Sequence, residues 1–122
     1  MATEKKTLVL GASLKEERYS NKAIRDLRKY GHPVVAVGLR EGQVLDVPIV
    51  KDIPPGTDVD TVTMYLNAHN QEPWEARILG LHPKRIIFNP GAENPAFARK
   101  AQAEGIATEE ACTLVLLHTG QF

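Results

Sequence analysis

Residues 7–11, Thr-Leu-Val-Leu-Gly, form an apolar run closed by a glycine, and the same device returns along the chain. Residues 34–38 (VVAVG) repeat it, and residues 61–66 (TVTMYL) and 85–88 (RIIF) end instead against Asn67 and Asn89. Unbroken runs of this length suit strands buried on both faces. Segments with helical spacing lie between them. From Ser20 to Tyr30, apolar residues fall at Ala23, Ile24, Leu27 and Tyr30, with Ser20 or Asn21 available to cap the start and Gly31 to end it. Residues 71–81 carry Trp74, Ile78 and Leu81 at helical spacing. Asn94-Pro95 opens a helix that runs to about Glu104, a capping side chain followed by proline at the first helical position. Ile106-Ala107-Thr108 starts a last short strand, and residues 112–118 (CTLVLLH) read as a short helix. Residues 39–60, with Pro48, Pro54 and Pro55, predict only a short edge strand near 48–50. The alternation predicts an α/β fold, three-layered, Rossmann-like and doubly wound, on a mostly parallel sheet of about five strands. Residues 1–122 are expected to form a single domain.

Charge narrows the range of partners. Fifteen basic and fifteen acidic side chains cancel, so no bulk field draws the chain to nucleic acid or to an anionic membrane. Any anion site must be local. The one cysteine, Cys112, excludes an internal disulfide and suits a reducing compartment. The apolar run at residues 7–12 is too short for a signal segment or a membrane span. A soluble, cytoplasmic protein is expected. The four histidines, His32, His69, His82 and His118, lack the spacing of a metal cluster, so no metal is expected.

In doubly wound folds, ligands bind beyond the carboxyl ends of the strands. That rule selects Gly11-Ala12-Ser13, Gly38-Leu39-Arg40, Asn67-Ala68-His69 and Asn89-Pro90-Gly91-Ala92. The first loop suits a phosphate. Gly11 permits a sharp turn, Ser13 offers a hydroxyl, and the next helix points its N-terminal N–H groups at the same place. Arg18, Ser20 and Asn21 add donors. After the second strand, the acid that grips ribose in NAD enzymes is replaced by Arg40, with Glu41 the first carboxylate. This disfavours NAD and leaves NADP, coenzyme A or another phosphorylated nucleotide.

At these residues the chain resembles the small CoA-binding domain family, whose Rossmann-type fold is shared with the N-terminal domain of the succinyl-CoA synthetase alpha subunit. The resemblance rests on Val9-Leu10-Gly11-Ala12-Ser13, Arg18-Tyr19-Ser20-Asn21, Val35-Ala36-Val37-Gly38, Asp52-Ile53-Pro54, Asn89-Pro90-Gly91-Ala92 and Cys112-Thr113. It spans roughly residues 6 to 120. It implies that Gly11, Ala12 and Ser13 line a diphosphate, and that Arg18, Tyr19, Ser20 and Asn21 flank the phosphates and nucleotide. Gly38 and Arg40 would sit near the ribose and its 3′-phosphate. Tyr65, Leu66 and Asn67 would border adenosine, and Asn89, Pro90 and Gly91 the pantetheine arm. Many relatives carry Asn-Pro where this chain has Gly38-Leu39.

No catalytic residue is assigned. Cys112 is the one strong nucleophile, read either as a small hydrophobe or as a thiol near that of CoA. His69 lies on the ligand side, and Glu93 beside the fourth loop. Glu16-Glu17 and Glu109-Glu110 read as solvated surface, and Trp74 as core. The expected function is binding of coenzyme A or acyl-CoA by a module without catalysis, with a homodimer or partner protein left open. The alternatives are a small NADP-binding redox protein and an interaction domain whose groove is vestigial.

Overall fold

The computed structural model describes residues 4–122. Seven strands form one sheet: β1 (Thr7–Ala12), β2 (Val34–Gly38), β3 (Gly42–Val44), β4 (Val47–Val50), β5 (Thr61–Met64), β6 (Arg85–Phe88) and β7 (Ala107–Glu110). Their spatial order is β3-β4-β2-β1-β5-β6-β7. Every neighbouring pair is parallel except β3 against β4. With β3 set aside, the order is the 3-2-1-4-5-6 arrangement of dinucleotide-binding folds, and strand order reverses between β1 and β5. The helices are α1 (Tyr19–Lys29), α2 (Ala68–Gln71), α3 (Glu75–Leu81), α4 (Pro95–Ala103) and α5 (Thr113–His118), with a 3-10 turn at Glu72–Trp74. None is long and apolar enough to cross a membrane.

The period of two along the strands builds three layers. Leu8, Leu10, Val62, Met64, Ile86 and Phe88 face Ile78 of α3 and Phe97 and Ala101 of α4. Phe97 meets Phe88 edge-on, with ring centroids 6.0 Å apart. Val9, Ala36 and Ile49 face the other way, against Ile24 and Leu27 of α1 and Leu117 of α5. The crossover from β4 to β5 needs no helix, because Ile53 and Val59 bury themselves in the first of these cores.

Four details differ from the sequence reading. The sheet has seven strands, not about five. The segment at 47–50 is internal, because the three-residue β3 turns back and takes the edge. The segment read as one helix over 71–81 divides into α2, the 3-10 turn and α3, since Pro73 has no N–H to continue a regular ladder. Neither Ser20 nor Asn21 caps α1; Arg18 occupies that position without a side-chain bond, and both residues lie buried in the first turn. The reading of Asn94-Pro95 agrees with the structure, where Asn94 Oδ1 accepts the Phe97 N–H at 3.1 Å.

At the opposite end of the sheet from the strand carboxyl ends, buried His32 joins the two ends of the described chain. Its Nδ1 accepts the Lys5 N–H at 3.0 Å, and its ring packs against that of Phe122 with centroids 4.9 Å apart. Burial, with Lys5 and Arg85 nearby, holds its pKa below the usual histidine value, against smaller opposing effects of Glu4 and Asp60. A proton on Nδ1 would displace the Lys5 donor. The unfolded chain therefore binds this proton first, so stability is retained above the ordinary histidine pKa of about 6.5 and lost as pH falls below it. Urea midpoints at about pH 7.5 and about pH 5.5 are expected to fall with acidity. His32→Gln, whose amide oxygen can accept the same N–H, is expected to flatten that fall.

Candidate functional site

The site begins with a defect in β1. Gly11 has φ +95°, and the pairing of β1 with β2 slips between Leu10 and Ala12, bringing Ala12 opposite Gly38. A Cβ on Gly38 would stand 2.2 Å from the Ala12 carbonyl oxygen, and one on Gly11 would stand 3.1 Å from the Tyr65 carbonyl carbon. The ends of β2 and β1 thus close to a spacing that only glycine allows at residue 38, while at residue 11 a tight approach to β5 and a positive φ favour glycine. Above them lies a cleft of about 540 Å³, a volume suited to a small-molecule ligand.

The cleft collects cations. Lys15, Arg18, Arg40 and Lys51 line it, and among the described residues no carboxylate does. Elsewhere Arg25, Arg28, Arg77, Lys84, Arg85 and Lys100 each hold an acid; among the described residues none of the four cleft cations does. Ser13 Oγ accepts the Lys15 N–H at 3.1 Å, which leaves its own hydrogen free to donate. Ser20 also lines the cleft, from the first turn of α1. Backbone donors, two hydroxyls and four cations around an open space form an arrangement for a polyanion.

A second ring of buried amides holds the loops. Asn21 is fully buried; its Nδ2 donates to the Ser13 carbonyl at 2.9 Å and its Oδ1 accepts from Arg25 Nε at 2.9 Å. Gln71 is fully buried as well, and its Nε2 donates to the carbonyls of Leu66 (2.8 Å) and Ala92 (2.7 Å), while its Oε1 accepts from Asn94. Asn89 donates to Thr63 Oγ1 and the Met64 carbonyl, and accepts the Thr113 N–H at 2.9 Å. The Thr63 and Thr113 hydroxyls meet at 2.7 Å. The Tyr65 hydroxyl is buried near the Thr63 and Thr113 hydroxyls with no hydrogen bond of ordinary geometry among the described residues, and burial, with Cys112 adding to it, outweighs those hydroxyls and pushes its pKa up, so it stays protonated.

The residues singled out from the sequence therefore divide. Gly11, Ala12, Ser13, Arg18, Tyr19 and Ser20 line the cleft from its first loop and helix. Gly38 and Arg40 line it after β2, Tyr65 and Leu66 after β5, and Pro90 after β6. The others lie outside the lining. Asn21 and Asn89 turn inward as braces. Asn67 caps α2, accepting the Asn70 N–H at 2.9 Å. Gly91 is an exposed turn residue with φ +91° whose N–H donates to Glu93 Oε1. Cys112 is half-buried at the start of α5. His69 is exposed on α2 and does not line the cleft. Sequence reasoning missed Leu14, Lys15, Lys51 and Trp74. Lys51 follows β4 directly; recognising 47–50 as an internal parallel strand would have placed it on the ligand edge.

Gly38→Ala is expected to cost about 1–3 kcal/mol by urea denaturation, because backbone must move to admit the methyl group. Gly80→Ala, which adds its Cβ to open space in α3, is expected to be neutral or to stabilise by up to ~1 kcal/mol.

A doubly wound α/β domain with a polyanion cleft at its point of strand reversal is the class defined by this geometry. The profile of a family described as CoA binding domain matches residues 5–118, and the chain belongs to that family. A solved structure of an uncharacterised protein is 42% identical, with TM-score 0.95 over 99% of this chain and 100% of that one. A Thermus thermophilus protein is 22% identical, with TM-score 0.86 over 98% of this chain and 91% of that one, a likeness of fold. The dinucleotide-forming acetyl-coenzyme A synthetase 1 of Ca. Korarchaeum cryptofilum, solved with phosphate and ADP, shares the fold at 14% identity and TM-score 0.72; the match covers 88% of this chain but 25% of the enzyme. No protein with a curated description matches.

Proposed function

We propose that the cleft binds coenzyme A or an acyl-CoA, and that the chain serves as a binding module, a carrier, sensor or partner-completed subunit, with no chemistry of its own. The observation that carries this reading is the set of four cations that line one cleft with the Gly11–Ser13 turn, with no carboxylate of the described residues among the lining. The diphosphate rests on that turn, against the N–H groups that open α1 and beside Arg18 and Lys15. Arg40 and Lys51, at the ends of β2 and β4, take the phosphate carried by the ribose. The pantetheine arm leaves past Pro90. Membership of the CoA-binding family supports this choice among phosphorylated nucleotides. Arg40 and Lys51 would serve the 2′-phosphate of NADP equally well, so the test includes it.

The test is thermal denaturation with CoA, acetyl-CoA, 3′-dephospho-CoA, NADP, NAD and ATP. A ligand that binds only the folded chain stabilises it by about 2.7 kcal/mol at a hundredfold excess over Kd. CoA is expected to raise Tm, 3′-dephospho-CoA less so, and Ser13→Ala and Arg18→Ala to shrink the CoA shift. Arg40→Gln with Lys51→Gln is expected to erase the difference between CoA and its dephospho form. A shift with NADP alone would replace this reading with the redox one, and no shift with any ligand would leave the groove vestigial.

Cys112 adjoins Thr113, whose N–H is held by Asn89 beside Pro90, so the reading also places it near the thiol end of the ligand. Under an added oxidant such as diamide, which takes two electrons and two protons from the thiol pair, the two sulfurs would join. Intact mass is expected to rise by one CoA less two hydrogens, and not in Cys112→Ser.

A further inference from the structure

The one tryptophan, expected in the core, packs against the core that holds Ile78 yet also borders the cleft. Ile78, one turn further on, is fully buried, whereas Trp74 is half-buried and borders the cleft. Its position is nonetheless well anchored. The Arg77 guanidinium carbon stands 5.3 Å from the ring centroid. Arg77 in turn pairs with Asp52 and donates to the Ile53 carbonyl at 3.4 Å. This fixes the indole to the segment directly after Lys51, which itself lines the cleft, while Arg77 lies outside the lining. The guanidinium thus lies over the ring without lining the cleft, and Trp74 itself borders that space.

Topology says what lies there. With the diphosphate on the β1 loop and the ribose at the end of β2, the nucleotide runs outward along the strand ends toward β4. The cleft residues met on that path include Leu39, Arg40, Lys51 and Trp74. Leu39 is 93% exposed, an apolar side chain held in water on the lip. Two other aromatic residues line the cleft. Tyr65 has its hydroxyl buried in the protein, and Tyr19 is 68% exposed at the start of α1. Trp74 alone among the three combines a fixed ring with a place on the β4 side.

We propose that Trp74 is the stacking wall for the adenine ring of the bound nucleotide, and so a determinant of its affinity for ligands that carry a base. The inference rests on the reading of the cleft as a CoA site. Stacking holds a base by its π-face, and Arg77, which does not line the cleft, helps to fix the indole. Loss of a base–aromatic stack weakens binding by about tenfold to a hundredfold.

The chain contains one tryptophan, so its fluorescence reports Trp74 without background from another indole. Titration with CoA and with adenosine 3′,5′-bisphosphate is expected to quench that fluorescence saturably, and 4′-phosphopantetheine, which has no base, to leave it unchanged. By calorimetry, Trp74→Leu is expected to weaken CoA binding about tenfold or more, and Trp74→Phe to restore most of it. CoA binding with fluorescence unmoved, or equal quenching by 4′-phosphopantetheine, would overturn the stacking role and leave the CoA reading standing. Absence of CoA binding by calorimetry would overturn both. If Trp74→Leu does not fold, the quenching of the native chain and the Trp74→Phe affinity decide the matter by themselves.

Discussion

The contact between Gly38 and the Ala12 carbonyl is the constraint on which the functional end of this fold depends. Here β1 slips by one residue at Gly11, and the Ala12 carbonyl enters space that a Cβ of residue 38 would fill. The slip turns the chain after β1 across the top of the sheet instead of along it. It directs Ser13 and the start of α1 toward the gap between β1 and β5, where strand order reverses. A small irregularity of register thus decides where the donors point.

What the glycines open, the buried amides hold. Asn21, Gln71, Asn89 and Asn94 spend their side chains on backbone, on one another and on the Arg25 and Thr63 side chains. Gln71 ties the loop after β5 to the loop after β6, and Asn89 ties the latter to the start of α5. Buried amides of this kind are costly unless fully paired, and when paired they select one arrangement of the chain. The strand ends that face the cleft are therefore braced from beneath, and the cleft side chains work from fixed backbone.

Much of this was legible in the sequence. β1, β2 and β6 are apolar runs buried on both faces, and Asn94-Pro95 marks its helix by a cap whose geometry follows from two residue types. The polar and glycine residues that close the strands also indicate which edge of the sheet takes a ligand. Legibility fails where a side chain has two ways to turn. Asn21 and Asn89 sit on the ligand edge, yet point into the protein because unpaired carbonyls there need donors more than the solvent-filled cleft does. β3 escaped notice because two of its three residues are exposed, so it carries no burial pattern. Lys51 was hidden by the same omission. Trp74 sits on an apolar helical stripe, and no local signal separates an indole that seals a core from one that borders a cleft.

The unpaired cations have a consequence for the protein's economy in the cell. Lys15, Arg18, Arg40 and Lys51 converge without counter-charge, so the vacant cleft is a region of mutual repulsion, softened only by salt. Whatever anion fills it relieves that repulsion and favours the folded chain by mass action. The unoccupied form is then the one more often opened and degraded. Were the ligand proposed above to fill the cleft, the quantity of folded protein would follow its supply, and abundance itself would become a readout of occupancy.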